Sequence, residues 1–253
     1  MPARKSQHGR IVAELGLAIV AGELAPGDRL PAEGVLLERY AVSRPVLREA
    51  VRVLAAKGLV LSKQRAGAIV RPREAWHLLD PDVLRWLVQV RPRQEFLAAL
   101  MEVRRIVEPA TAALAALAAT DAQLREIEAA YAGMEAASTV EELLEPDLAF
   151  HRRIAAATNN DLLAHIGNML SLALRESILL DSREPRAHSL QRHRAILTAL
   201  RRRDAPAARE ATLAQLQDTG ERQERQAGEG AAFRTATSAA AASTGAPARC
   251  RAR

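Results

Sequence analysis

Asp147-Leu-Ala-Phe-His151 sets a carboxylate and an imidazole four residues apart. On a helix that spacing puts both groups on one face, one turn apart, where both can reach one metal ion. His193 lies on a later segment, Gln191-Arg-His-Arg-Ala-Ile-Leu197. Neighbouring helices of a bundle can bring such residues together. On spacing alone, a hydrogen-bonded surface pair is the commoner outcome. Arg104 lies on another helix, whose other face is apolar (Leu100, Ile106, Val107 and Leu114). A buried arginine needs an anionic partner, either a ligand's carboxylate or phosphate or an internal carboxylate such as Glu108. A different chemistry is offered by Arg44 and Arg48. They are also four apart, and a planar guanidinium can donate two hydrogen bonds to the guanine edge.

The elements around those two arginines predict a helix-turn-helix with a β-wing over residues 26–70. Ser43 is an expected N-cap, and Pro45 falls in the first turn, where a missing N–H costs little. Val46, Leu47, Ala50, Val51, Val53 and Leu54 form an apolar stripe at helical spacing, leaving Arg44, Arg48 and Arg52 outside it. Gly58 is an expected helix stop. Leu59–Leu61 and Ala68–Val70 read as two short strands. Their joining tip carries Lys63, Arg65 and Gly67, suited to phosphate or minor-groove contacts. A solvated basic helix face is the plain alternative, but the preceding helix, the Ser-Arg-Pro start and the wing together favour DNA.

Charge distribution agrees. The 253 residues carry a net +6, divided as +6 over residues 1–75, −3 over 76–220 and +3 over 221–253. The basic excess at the N-terminus suits a polyanion. With 49% hydrophobic residues the chain can form two domains. A single cysteine, Cys250, excludes an internal disulfide framework. No signal peptide and no uninterrupted membrane span is evident, so a cytoplasmic location is expected. Residues 1–75 are read as the DNA-binding domain and 76–90 as a linker with a short helix capped by Asp80. Residues 91–226 are read as about six helices. Their breaks fall near Thr120, Ser138, Thr158–Asn160, Ser182–Pro185 and Asp204–Pro206. Residues 227–253 lack large apolar side chains and are expected to be disordered.

Residues 26–70 resemble the winged-helix domain of the GntR superfamily of bacterial regulators. The resemblance is carried by Pro26-Gly-Asp28, Leu30-Pro-Ala-Glu33, Ser43-Arg44, Leu47-Arg-Glu-Ala50, Leu54, Gly58-Leu59 and Gly67. It implies DNA contacts from Ser43, Arg44, Arg48, Lys63, Arg65 and Gly67. Two departures are Gly34, where relatives often carry an arginine, and Arg65-Ala-Gly67 in place of Gly-x-Gly. The helical region resembles the effector domain of the FadR subfamily, the FCD domain, through Glu102–Ala110, Asp147…Phe150-His151, Thr158–Asn160 and the segment around His193.

The implied fold is mainly α, an N-terminal winged helix-turn-helix plus a C-terminal all-α bundle. The implied metal ligands are Asp147, His151 and His193, for zinc, nickel or manganese. Gln215 stands where a last histidine is usual, and glutamine is a poor ligand for zinc or nickel. Water or the effector's own oxygens could complete the shell. Arg104, Ser189 and Asn160 are implied effector contacts. Trp76–Trp86 and Glu102–Ala110 are similar to regulators of sugar-acid catabolism, implying a hydroxylated carboxylate such as galactonate. The expected protein is a regulator, a repressor by sign, acting as a homodimer on palindromic double-stranded DNA without a membrane partner. An acyl-CoA or other organic acid effector, and a metal-dependent enzyme, are the alternatives.

Overall fold

The computed structural model describes residues 7–63, 67–178 and 186–217. Arg65, Cys250 and the 227–253 tail lie outside the described residues. The chain divides into two compact units, Met1–Leu97 with His165–Ser182 and Ala98–Ala164 with Arg183–Arg253.

The first unit opens with α1 (Gln7–Ala21), α2 (Glu33–Tyr40) and α3 (Arg44–Ala56). Strands β1 (Val60–Lys63) and β2 (Gly67–Val70) follow as an antiparallel hairpin, with Val60 opposite Val70 and Lys63 opposite Gly67. The wing is thus one or two residues longer at its tip than the apolar runs predict. Pro45 lies in the first turn of α3 and Ser43 occupies its N-cap position, but the Ser43 side chain makes no capping bond. That corrects the expectation for its hydroxyl, which stays exposed on the α3 entry.

Gly58 ends the helix as expected, at φ +76°. A side chain there would be strained by that φ and would collide with the Ala75 carbonyl oxygen. The stretch read as a linker contributes to this unit's core. Asp80 caps α4 (Pro81–Val90), accepting from the Asp82 and Val83 amides. Trp76, Val83, Trp86 and Leu87 are buried with Ile11, Ile19, Leu47 and Leu54. Trp86 lies so close to Gly16 of α1 that a β-carbon there would overlap its ring. Lys57 joins the end of α3 to α4, its Nζ standing 2.8 Å from both Asp80 Oδ1 and Asp82 Oδ2.

Helices α5 (Arg93–Ala118), α6 (Asp121–Ala136), α7 (Val140–Ala156), α8 (Asp161–Ile178), α9 (Arg186–Arg201) and α10 (residues 205–217) make up the helical region. The breaks before α6, α7, α8 and α10 fall where the polar and proline-bearing stretches place them, and the predicted break at Ser182–Pro185 lies outside the described residues. Thr120 starts α6 with a reciprocal capping box to Gln123, and Thr139 caps α7 through the Glu142 amide. The second core joins α5, α6, α7, α9 and α10 through Ala112, Ala116, Ile127, Met134, Phe150, Ile196, Leu200 and Ala208. The outer face of α5 leaves Val103, Ile106, Leu114 and Leu117 between 45% and 70% exposed.

Candidate functional site

The α3 surface carries the first candidate site. The Leu47, Ala50 and Leu54 stripe is buried. Burying it turns the Arg44 and Arg48 side chains to solvent. Arg44 Nε is 3.8 Å from Glu33 Oε1 of α2, a loose exposed pair that costs little to break. Arg52, one turn further on, is committed to Glu49 at 2.7 Å. Gly67 takes φ +77° at the tip end of the wing, opposite Lys63.

The second candidate site lies inside the helical unit. Asp147 and His151 project from α7, His193 from α9 and Gln215 from α10. His193 is almost fully enclosed. Its Nδ1 is 2.8 Å from the Ser189 carbonyl oxygen, one turn back on α9. A carbonyl only accepts, so the bond needs the proton on Nδ1, and in the neutral ring Nε2 presents a lone pair. That Nε2 stands 3.3 Å from His151 Nε2 and 3.2 Å from Asp147 Oδ1. Gln215 Nε2 completes the group, 3.2 Å from His193 Nε2 and 3.5 Å from His151 Nε2. Phe150 meets both imidazoles nearly edge-on, with centroids 5.6 Å from His151 and 5.2 Å from His193. It wedges the two rings into their crossed orientation.

Electrostatics make this cluster hungry for positive charge. Burial works to raise the Asp147 pKa. The His193 hydrogen bond and charge, with the charges of His151 and Arg104, bring it down to about 2 instead. Burial likewise opposes the Glu108 carboxylate, but Arg104 and His151 hold its pKa below the ordinary range. His151 is pushed down by burial, against the pull of Glu108 and Asp147, so its neutral form is favoured. Two buried carboxylates therefore face one guanidinium. A proton on His193 Nε2 or a divalent cation supplies the missing charge. Asp147, His151 and His193 offer ligand atoms within 4.8 Å of one another. Two imidazoles and a carboxylate suit a first-row divalent ion, and the Ser189 carbonyl sets the tautomer that such an ion needs.

The three effector contacts read from the sequence fall in different settings. Arg104 is buried and engaged by Glu108, with Nε donating to Oε1 at 2.5 Å and Nη2 to Oε2 at 3.2 Å. Its Nη1 faces the Met101 sulfur at 3.7 Å. The internal ion pair is thus the partner that the structure displays. Ser189 enters the cluster through its main-chain carbonyl. The Asn160 side chain caps α8, accepting from the Leu162 and Leu163 amides. Glu108 was legible only as a partner for Arg104, yet its Oε2 also approaches His151 Nδ1 at 3.6 Å. The i, i+4 spacing of Arg104 and Glu108 gives the first contact, whereas the second needs α5 packed on α7.

Comparisons with known proteins match both parts of the chain. The family model for bacterial regulatory proteins of the gntR family matches residues 7–70, and that for the FCD domain matches residues 99–218. The chain is 38% identical over 208 residues to the galactonate operon transcriptional repressor of Escherichia coli, spanning 81% of this chain and 91% of the relative. The chain belongs to the GntR family. It is a transcriptional regulator with a winged helix-turn-helix and an FCD domain. The Uxu operon transcriptional regulator of Escherichia coli is 30% identical, across 78% of this chain and 79% of that protein. A solved structure of Lar, which controls the Listeria monocytogenes agr system, matches with a TM-score of 0.57. It is 23% identical over 85% of this chain and 96% of that one, a likeness of fold. Among the described residues no helix of this GntR protein is long and apolar enough to cross a membrane.

Proposed function

We propose that this GntR regulator is a cytoplasmic, homodimeric repressor whose FCD domain binds a hydroxylated carboxylate, a sugar acid such as galactonate. The observation that carries the reading is the convergence of half-buried Asp147 and His151 with buried His193, beside buried Arg104. Asp147, His151 and His193 would hold a divalent cation, which supplies positive charge for the effector's carboxylate. Arg104 adds a second positive group, since Glu108 occupies Nε and Nη2 while Nη1 makes only a weak contact with the Met101 sulfur, which an effector oxygen would replace. Similarity to the galactonate operon repressor supports the sugar acid. Membership of the family supports a regulator rather than a metal-dependent enzyme.

Ser43, Arg44 and Arg48, with Lys63, Arg65 and Gly67 of the wing, read the operator in this proposal. One winged helix buries too little surface to select a genomic site, so two heads on a palindrome are required. The exposed α5 stripe, bordered by exposed Glu102 and Arg105, supports pairing of two copies through the helical units. Sedimentation of the wild type should show a dimer at micromolar concentration, and Ile106→Glu should shift it toward monomer.

The test of the effector is a titration of the protein–operator complex, with added metal and with chelator. Galactonate and related sugar acids should lower operator affinity in the metal-loaded sample. Effector and operator must change each other's affinity by the same factor. His151→Ala should abolish metal binding and the response while leaving operator binding intact. Arg104→Ala should abolish the response alone. If no hydroxylated carboxylate changes operator affinity while an acyl-CoA or another acid does, the sugar-acid assignment is wrong. Catalytic turnover of the acid would replace the regulator reading with an enzyme.

A further inference from the structure

We propose that Gln215 is itself a metal ligand, through its side-chain carbonyl oxygen, so that the site presents two nitrogen and two oxygen donors. This rests on the metal reading above and specifies the donor set of that site.

Gln215 reaches the cluster from α10 and is 6% exposed. Its amide end already stands 3.2 Å from His193 Nε2 and 3.5 Å from His151 Nε2. A half-turn about the last side-chain bond exchanges the amide nitrogen and oxygen with no other movement. Donors about 2.0–2.2 Å from one shared ion, at tetrahedral or octahedral angles, stand roughly 3.0–3.5 Å apart. The two Gln215 separations fall in that range. So do the 3.3 Å between the two imidazoles and the 3.2 Å from His193 to Asp147. His193 Nε2 thus stands at such a spacing from Asp147, His151 and Gln215, and Gln215 stands at such a spacing from both imidazoles, which places it as a corner of the site rather than a lining residue.

The chemistry of that corner sets which ion is preferred. An imidazole there would add a third nitrogen, favoured by zinc and nickel, whereas an amide carbonyl is a neutral, harder oxygen donor that manganese accepts as readily. Gln215 therefore narrows the preference for zinc and nickel over manganese.

The full-length chain, stripped with chelator, is titrated separately with zinc, nickel and manganese against a chromophoric competitor. Gln215→His should tighten zinc and nickel by at least about tenfold while changing manganese by less than about threefold. Gln215→Leu should weaken all three by at least about tenfold. Gln215→Glu, which keeps an oxygen at the corner, should retain all three, and the selective gain of Gln215→His decides the matter if the leucine variant does not fold. Should the wild type bind metal, His151→Ala lose it and all three Gln215 variants match the wild type, Gln215 is a bystander and the proposal fails alone. Should the wild type bind none of the three ions, the metal reading fails and this proposal falls with it.

Discussion

On α3, Arg44 and Arg48 stand in solvent; on α5, Arg104 is buried and gripped by Glu108. The same side chain does opposite work in the two places. Exposed arginines cost little to present, and their forks stay available for phosphates and base edges. A buried arginine must be neutralised before any ligand arrives, so its anion comes from the same helix, four residues on. The reading head is a surface whose function is set by what it leaves free. The helical site is an interior whose charges are held in balance. Surface recognition should therefore yield to single substitutions roughly additively. The interior cluster should respond as a unit.

Four variants break or sharpen that contrast. The largest effect is expected from Arg44→Ala combined with Arg48→Ala. At about 1–3 kcal/mol per bidentate base contact, specific operator binding should weaken by about 2–6 kcal/mol, with the fold intact. Electrophoretic mobility shifts at moderate salt, with circular dichroism as the control, measure it. Specific binding that survives both changes would remove α3 as the reading helix.

Gly58→Ala comes next. Its left-handed backbone and the Ala75 carbonyl together should cost roughly 2–4 kcal/mol, seen as a lowered thermal midpoint for the head. An unchanged midpoint would mean that the α3 exit and the 71–76 connector move apart readily.

Glu108→Gln tests the interior. Removing the carboxylate beside His151 Nδ1 should lower metal affinity about 10–100-fold, although Glu108 is not among the proposed ligands. Titration with zinc or manganese reads the change. Wild-type affinity would confine Glu108 to the role of Arg104's counter-ion.

The smallest effect belongs to Lys57→Met. Lys57 is 11% exposed, but its partners Asp80 and Asp82 are 25% and 43% exposed, so a loss of about 1–2 kcal/mol is expected. The loss should depend on pH. Burial works against the Asp82 carboxylate, but Lys57, aided by Arg85, holds its pKa below the usual range. A lowered carboxylate pKa contributes stability in full above the unfolded value, about 4, and loses it as pH falls through the lower folded value. Melting curves of wild type and variant should therefore converge in acid. A constant gap would place the effect in packing of the lysine stem.

Much of the fold was legible because its signals are local. Ser43-Arg-Pro45, Gly58, Asp80-Pro81, Thr120 and Thr139 each mark a helix end through groups within a few residues, and the structure keeps every one of those ends. The Ser43 hydroxyl is the exception, because entering a helix in an extended conformation does not oblige the side chain to turn back. The 76–90 stretch looked like a connector because its polar caps are conspicuous. That Trp86 lies on Gly16 depends on two segments 70 residues apart.

The sequence by itself determined the family, most of the described helix ends and the four-residue spacing of Asp147 and His151 on one helix. All of these depend on neighbours along one helix or on motifs carried in order. Only the tertiary structure decided that His193 and Gln215 meet that pair, that Ser189 sets the His193 tautomer through its backbone and that Phe150 wedges the rings. It also decided that Glu108 serves both Arg104 and His151. Those contacts join α5, α7, α9 and α10 across the bundle. Their distances are set by how alanine-rich faces pack, which no spacing within a single helix encodes.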